Sequence, residues 1–158
     1  MKALVYVDAF VPDQGESIGQ LISAQPGSCI GGDPAAVFDP VPYPGGPAGD
    51  ADLYLQPVKF PGCFASGLPA SEAAVLAATQ RPLAESAVTG TSGTPAWKTI
   101  PSWAVIGTAD QVIPPAELQV MAERAGARIT DVNAGHLSLI SDPGAVTQVI
   151  IQAATATS

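Results

Sequence analysis

Residues 3–7, Ala3-Leu4-Val5-Tyr6-Val7, form an unbroken apolar run with β-branched and aromatic members that stops at Asp8. A short run without polar alternation suits a parallel strand covered on both faces. Two further runs lie towards the other end of the chain, Ser102-Trp103-Ala104-Val105-Ile106-Gly107 and Ala127-Arg128-Ile129-Thr130-Asp131-Val132. Between them, Pro114-Pro115 precedes a stretch in which Leu118, Met121, Ala122 and Ala125 recur at i, i+3, i+4 and i+7, with Gly126 as a stop. That spacing predicts an amphipathic helix over 116–125. A second helix opens at Asp142-Pro143 and carries Val146, Val149, Ile150, Ala153 and Ala154 along one stripe. Strand, helix, strand, helix is the alternation of an α/β domain with a parallel sheet, whose ligand sites gather at the carboxyl ends of the strands.

The middle of the chain, residues 11–100, has another texture. Residues 27–52 are crowded with proline and glycine, including Pro40-Val41-Pro42-Tyr43-Pro44-Gly45-Gly46-Pro47, and read as irregular. The alanine-rich run Ser71-Glu72-Ala73-Ala74-Val75-Leu76-Ala77-Ala78 has high helix propensity, and Pro82 begins a second short helix through Val88. So long an excursion between two parallel strands exceeds what a crossover needs, and at the ligand end of a sheet such excursions form lids or binding loops.

Composition narrows the choice. Hydrophobic residues make up 47% and charged residues 13% of 158, enough apolar material for one packed core and too little charge for a disordered chain. The net charge of −8 comes without a basic stripe, which argues against a phosphate-tracking nucleic-acid partner. Lys2 and the following apolar residues are cut off by Asp8 before the roughly 7 to 15 apolar residues of a signal peptide, and no run reaches the ~18 of a membrane span. A cytoplasmic protein without membrane contact is the expectation. The two cysteines, Cys29 and Cys63, have no neighbours at metal-ligand spacing and are expected as buried thiols, neither a disulfide framework nor a zinc site. No cofactor is implied, and no Gly-x-Gly-x-x-Gly follows any strand, which weakens a dinucleotide-binding reading.

Candidate chemistry centres on the single histidine, His136, in Asn133-Ala134-Gly135-His136-Leu137, directly after the third predicted strand. Asp110, in Gly107-Thr108-Ala109-Asp110, directly follows the second. Adjacent strands would bring both to one rim. A carboxylate bonded to one imidazole nitrogen fixes the tautomer and leaves the other nitrogen free to take a proton from a nucleophile. Asp110 is then the orienting acid and His136 the general base. A turn or cap role ahead of Pro114 stays open for Asp110, and Asp8, at the end of the first strand, is the rival acid.

With these residues in view, the chain resembles the carboxyl-terminal part of an α/β-hydrolase. Leu4-Val5-Tyr6-Val7-Asp8-Ala9-Phe10-Val11-Pro12-Asp13 resembles the sixth strand of that fold and the loop that opens its cap. Residues 100–110 resemble the seventh strand and catalytic acid, and Ala134-Gly135-His136 the catalytic histidine loop. Gln80-Arg81-Pro82-Leu83 with Pro95-Ala96-Trp97-Lys98 is similar to a bacterial esterase-like branch. Ala9-Phe10-Val11-Pro12-Asp13 and Ile113-Pro114-Pro115, with Gln119-Val120-Met121 on the following helix, also resemble the plant methylesterase and hydroxynitrile-lyase branch. The resemblance implies one partial domain over 1–158: a strand in 1–10, a cap insert over 11–100, and strand-helix-strand-helix over 101–158 carrying the acid and histidine.

The resemblance also implies a nucleophile elbow, Gly-x-Ser-x-Gly, and none occurs here. Gly90-Thr91-Ser92-Gly93-Thr94 lacks the final glycine, and Gly62-Cys63-Phe64 fails as a cysteine elbow. The expectation is therefore a Ser-His-Asp hydrolase of small carboxylic esters in the parent protein, with this chain alone lacking the serine and inactive. The alternative is a non-catalytic binding module or one half of a split hydrolase. Lyases of the related branch place a lysine after the histidine, whereas Leu137 stands here, so the resemblance favours ester hydrolysis. Phe38, Tyr43, Tyr54, Phe60 and Phe64 either line an apolar pocket or pack internally; substrate-binding residues are otherwise unassigned. The edge of the strand over 3–7 is expected to invite association with another chain.

Overall fold

The structure is a computed structural model that describes residues 1–42 and 45–158. Along the chain run β1 (Leu4–Val7), α1 (Ile18–Ile22), β2 (Phe38–Val41), β3 (Asp52–Leu55), α2 (Phe60–Cys63), α3 (Ala70–Thr79), β4 (Leu83–Ala84), α4 (Glu85–Thr89), β5 (Ser102–Gly107), α5 (Pro115–Arg124), β6 (Arg128–Val132), α6 (Ser138–Ser141) and α7 (Pro143–Ala156). The three apolar runs form one parallel sheet in the order β1-β5-β6, with Leu4 opposite Ser102, Val7 opposite Val105, Trp103 opposite Arg128 and Gly107 opposite Val132.

Strand β5 is buried at every position, which explains why its sequence carries no polar alternation. Successive side chains still point to opposite faces. Ala104 and Ile106 join the core formed with Val11, Leu118, Met121 and Ala122, while Trp103 and Val105 face Val146, Val149 and Ala153 of α7. The predicted stripe on α5 is the buried one, and Met121, fully buried, also accepts the Val11 N–H on its Sδ at 3.3 Å. On α7 the stripe is narrower than its sequence suggests, because Ile150 and Ala154 are exposed and only Val146, Val149 and Ala153 are buried. Its cap forms as expected, with Asp142 Oδ1 accepting from the Ala145 N–H at 3.2 Å. Strand β6 is only partly buried, and the Arg128 guanidinium lies over the Trp103 ring, 5.2 Å from its centroid.

The insert holds more regular structure than its composition suggests. Strands β2, β3 and β4 make a second, antiparallel sheet in that order, where an irregular stretch and a helix from Pro82 were expected. Proline in β2 is tolerated because β2 is an edge strand, where a missing N–H costs no ladder bond. The helix in this region is shorter than expected and begins at Glu85, after the two-residue β4. Helix α3 lies where the alanine-rich run placed it.

The start of the insert is fastened to α5, and its end is fastened to its start. Arg124 donates from Nη1 to Glu16 Oε1 at 2.6 Å, and from Nη2 to Glu16 Oε2 at 2.7 Å and to the Val11 carbonyl at 2.9 Å. That guanidinium holds the Glu16 carboxyl below the usual glutamate range. The Trp97 indole N–H donates to the Pro12 carbonyl at 3.0 Å, and Lys98 pairs with Asp13 at 2.6 Å.

The reading of Cys29 and Cys63 as free thiols is corrected: they form a disulfide, with Cα atoms 5.7 Å apart across 34 residues of chain. That separation hid the pairing, since only the folded insert brings the loop at 29 against α2. The same loop is bound to the end of the main sheet, with the Cys29 N–H on the Gln111 carbonyl at 2.7 Å and Ser28 Oγ on the Val112 carbonyl at 2.7 Å. The disulfide closes a long loop, so its reduction is expected to lower the unfolding free energy by ~2–4 kcal/mol. Urea unfolding with and without a dithiol reductant, with alkylation to count free thiols, measures the difference.

Candidate functional site

The parallel strands end at one rim, and the residue that begins the rim's chemistry is Gly107, last in β5. A Cβ there would lie 2.8 Å from the Ala134 carbonyl, 2.8 Å from the Gly135 carbonyl and 3.0 Å from Asp8 Oδ1. Only glycine lets these three segments converge. Two residues on, the Ala109 N–H donates to the Ala134 carbonyl at 3.0 Å, tying the loop after β5 to the loop after β6.

That convergence brings the two candidates together. His136 Nδ1 lies 2.9 Å from Asp110 Oδ2. The other carboxylate oxygen, Oδ1, accepts from the Val112 N–H at 2.7 Å and the Ile113 N–H at 3.0 Å, so the carboxylate cannot rotate away. The turn role left open for Asp110 is thus also filled, by its other oxygen. The Asp110 side chain is fully buried, while that of His136 keeps 13% of its exposure. The imidazole therefore has its carboxylate partner inside and a face towards the outside.

Asp8, the rival acid, is not bonded to the histidine. Its Oδ1 accepts from the Gly107 N–H at 2.6 Å, and its Oδ2 accepts from the Ser138 hydroxyl and from the Ser138 N–H at 3.3 Å. Burial pushes its carboxyl up from the ordinary aspartate value; the Ser138 and Gly107 hydrogen bonds oppose that rise, the Asp110 charge adds to it and His136 opposes it.

Of the candidate aromatics among the described residues, Phe64 alone has a ring contact with the histidine, edge to face with centroids 4.6 Å apart. Phe60 stacks behind it at 5.4 Å and is buried in the core. Phe38 packs against the core and Tyr54 sits in β3, while Tyr43 lies outside the described residues. Sequence reasoning did not find Ser138 or Ser66. Ser66 Oγ is buried without a hydrogen-bond partner, and a Cβ on Gly135 would come within 2.6 Å of it. Ser92, nearest to an elbow by sequence, sits in the segment paired with residues 15–17, and Cys63 is consumed by its disulfide. Among the described residues no cluster of three or more His, Cys, Asp or Glu is placed to hold a metal ion, and no helix is long and apolar enough to cross a membrane.

A family model described as "Alpha/beta hydrolase family" matches residues 1–149. The chain belongs to that family. Its solved α/β-hydrolase neighbours are distant in sequence and close in fold. A polyneuridine aldehyde esterase variant is 13% identical with a TM-score of 0.71, covering 96% of this chain and 61% of that one. An Arabidopsis methylesterase is 14% identical at 0.70, covering 98% and 59%. A pyrethroid hydrolase from Sphingobium faniae JZ-2 is 17% identical at 0.60, covering 95% and 59%. The chain thus spans about three fifths of the length of these hydrolases. No curated protein matches it.

The close approach at Gly135 yields a test. In Gly135→Ala the new methyl meets the Ser66 carbonyl at 2.5 Å, a backbone atom that cannot swing aside. The substitution is expected to destabilise by ~1–3 kcal/mol, the range for overpacking, and to shift the His136 and Phe64 resonances; thermal melting with NMR checks both.

Proposed function

We propose that this chain supplies the general base, His136, and the orienting acid, Asp110, of a serine hydrolase acting on a small carboxylic ester. The observation that carries this reading is the 2.9 Å contact between His136 Nδ1 and a carboxylate whose other oxygen is pinned by two backbone N–H groups. With Nδ1 occupied, Nε2 takes the proton of an attacking serine hydroxyl and returns it to the departing alcohol. The resulting imidazolium is stabilised by Asp110, and water activated by the same nitrogen releases the acyl group.

The serine and the oxyanion hole belong, on this reading, to a part of the fold outside these 158 residues, and the chain by itself is inactive. Support comes from the lack of any Gly-x-Ser-x-Gly in the sequence and from the length of the structural neighbours. Residues 1–158 then make one partial domain, with 11–100 as its cap, and the free side of β1, which pairs with β5 alone among the described residues, takes a strand of that missing part or of another chain. Phe64 beside the imidazole favours an apolar acyl or alcohol group, and the esterases and hydrolases among the neighbours support ester chemistry. The disulfide favours an oxidising compartment over the cytoplasm.

A binding module or split half is the second reading, favoured by the same lack of an elbow. The hydrolase and binding-module readings separate on one experiment: the chain joined to the upstream portion of the fold is assayed on short p-nitrophenyl esters. Hydrolysis is expected, falling by ~1,000-fold or more in kcat for His136→Ala. No hydrolysis, with ligand binding that survives His136→Ala, would support the binding module.

A further inference from the structure

Asp8 has no part in the proton relay just described, yet it is the most constrained carboxylate near it. It is buried to 3% exposure, and its backbone is held at φ 45°, a left-handed conformation that side chains other than glycine seldom adopt. Such strain persists only where surrounding contacts enforce it. Those contacts are known: the Gly107 N–H on one oxygen, the Ser138 hydroxyl and N–H on the other. Gly107 ends the strand that leads to Asp110, and Ser138, itself fully buried, follows His136 by two residues. One carboxylate therefore joins the end of β1 to the segments that carry both members of the pair.

We propose that Asp8 is the positioning residue of the histidine loop, acting through Ser138 to fix the imidazole on Asp110. This rests on the reading of His136 and Asp110 as a working pair. An aspartate suits the task because its two oxygens accept along different directions, so that a single side chain fixes two loops, and charge-assisted hydrogen bonds are stronger than neutral ones. Burial pushes its carboxyl up, and the Ser138 and Gly107 donors hold it the other way. Without Asp8 the Ser138 N–H and hydroxyl lose their acceptor in a site closed to water, and the loop must move to satisfy them.

His136 is the sole histidine in these 158 residues, and its Nδ1–H resonance is assigned in the whole protein as the signal lost in His136→Ala. The test follows the solvent exchange of that proton by NMR in the whole protein that contains this chain, in wild type, Asp8→Gly, Ser138→Ala, the double variant and Asp110→Asn. Glycine removes the carboxylate while accepting the left-handed backbone, and Ser138→Ala removes only a hydroxyl. Asp8→Gly and Ser138→Ala are each expected to speed exchange about tenfold or more, the scale of losing a charge-assisted bond, and the double variant to be no faster than Asp8→Gly. Should Asp8→Gly fail to fold, Ser138→Ala carries the same comparison. A merely structural role would lower the melting temperature and leave exchange in the folded molecule at the wild-type rate, which would overturn the proposal, as would simple additivity of the two effects. An Nδ1–H signal unchanged in Asp110→Asn is a separate failure, breaking the pair itself and the proposal with it.

Discussion

The absence of a side chain at Gly107 is the constraint on which the site depends. Two carbonyls and a carboxylate oxygen stand where its Cβ would be, so the ends of β1, β5 and β6 meet at van der Waals distance instead of being held apart. From that meeting point Asp110 reaches His136, and Asp8 reaches both Gly107 and Ser138. The burial of β5 on both faces makes the meeting rigid: Ala104 and Ile106 lock it to α5, Trp103 and Val105 lock it to α7. A strand fixed in this way can present a carboxylate to a histidine on a neighbouring loop without either residue needing a strong local preference for its conformation.

How much of this was legible in the sequence follows from the range of the interactions. Strands β1, β5 and β6 and helices α5 and α7 are written in local periodicity, and the strand-end rule then places Asp110 and His136 on one rim. What local pattern cannot show is which of two carboxylates at that rim faces the imidazole. Asp8 and Asp110 both follow strands; the choice is made by the loop after β6, whose Ser138 turns towards Asp8 while His136 turns towards Asp110. The disulfide was hidden for a similar reason, since 34 residues separate its ends and only tertiary folding brings them together. Strand β2 was hidden by Pro40, which marks a loop in most contexts and is harmless at a sheet edge.

The insert is tied to the site as well as to the body of the domain. Ser28 and Cys29 hold the carbonyls at 111 and 112, beside Asp110, and the disulfide carries that attachment to α2. Phe64, directly after α2, then meets the imidazole. A covalent and hydrogen-bonded path therefore runs from the acid, through the insert, back to the histidine. Such a path sets Phe64 of the insert beside the imidazole, while the strand ends and the loops that follow them hold the two side chains together.

The central claim is that these residues are the acid-base part of a nucleophilic hydrolase whose serine lies elsewhere in the protein. Treating the native protein that contains this chain with a serine-directed fluorophosphonate, followed by mapping of the modified peptide, tests it most directly. The account predicts one modified serine, located outside these 158 residues, and no modification in the His136→Ala protein. Modification of a serine within this chain, or modification that persists without His136, would contradict it.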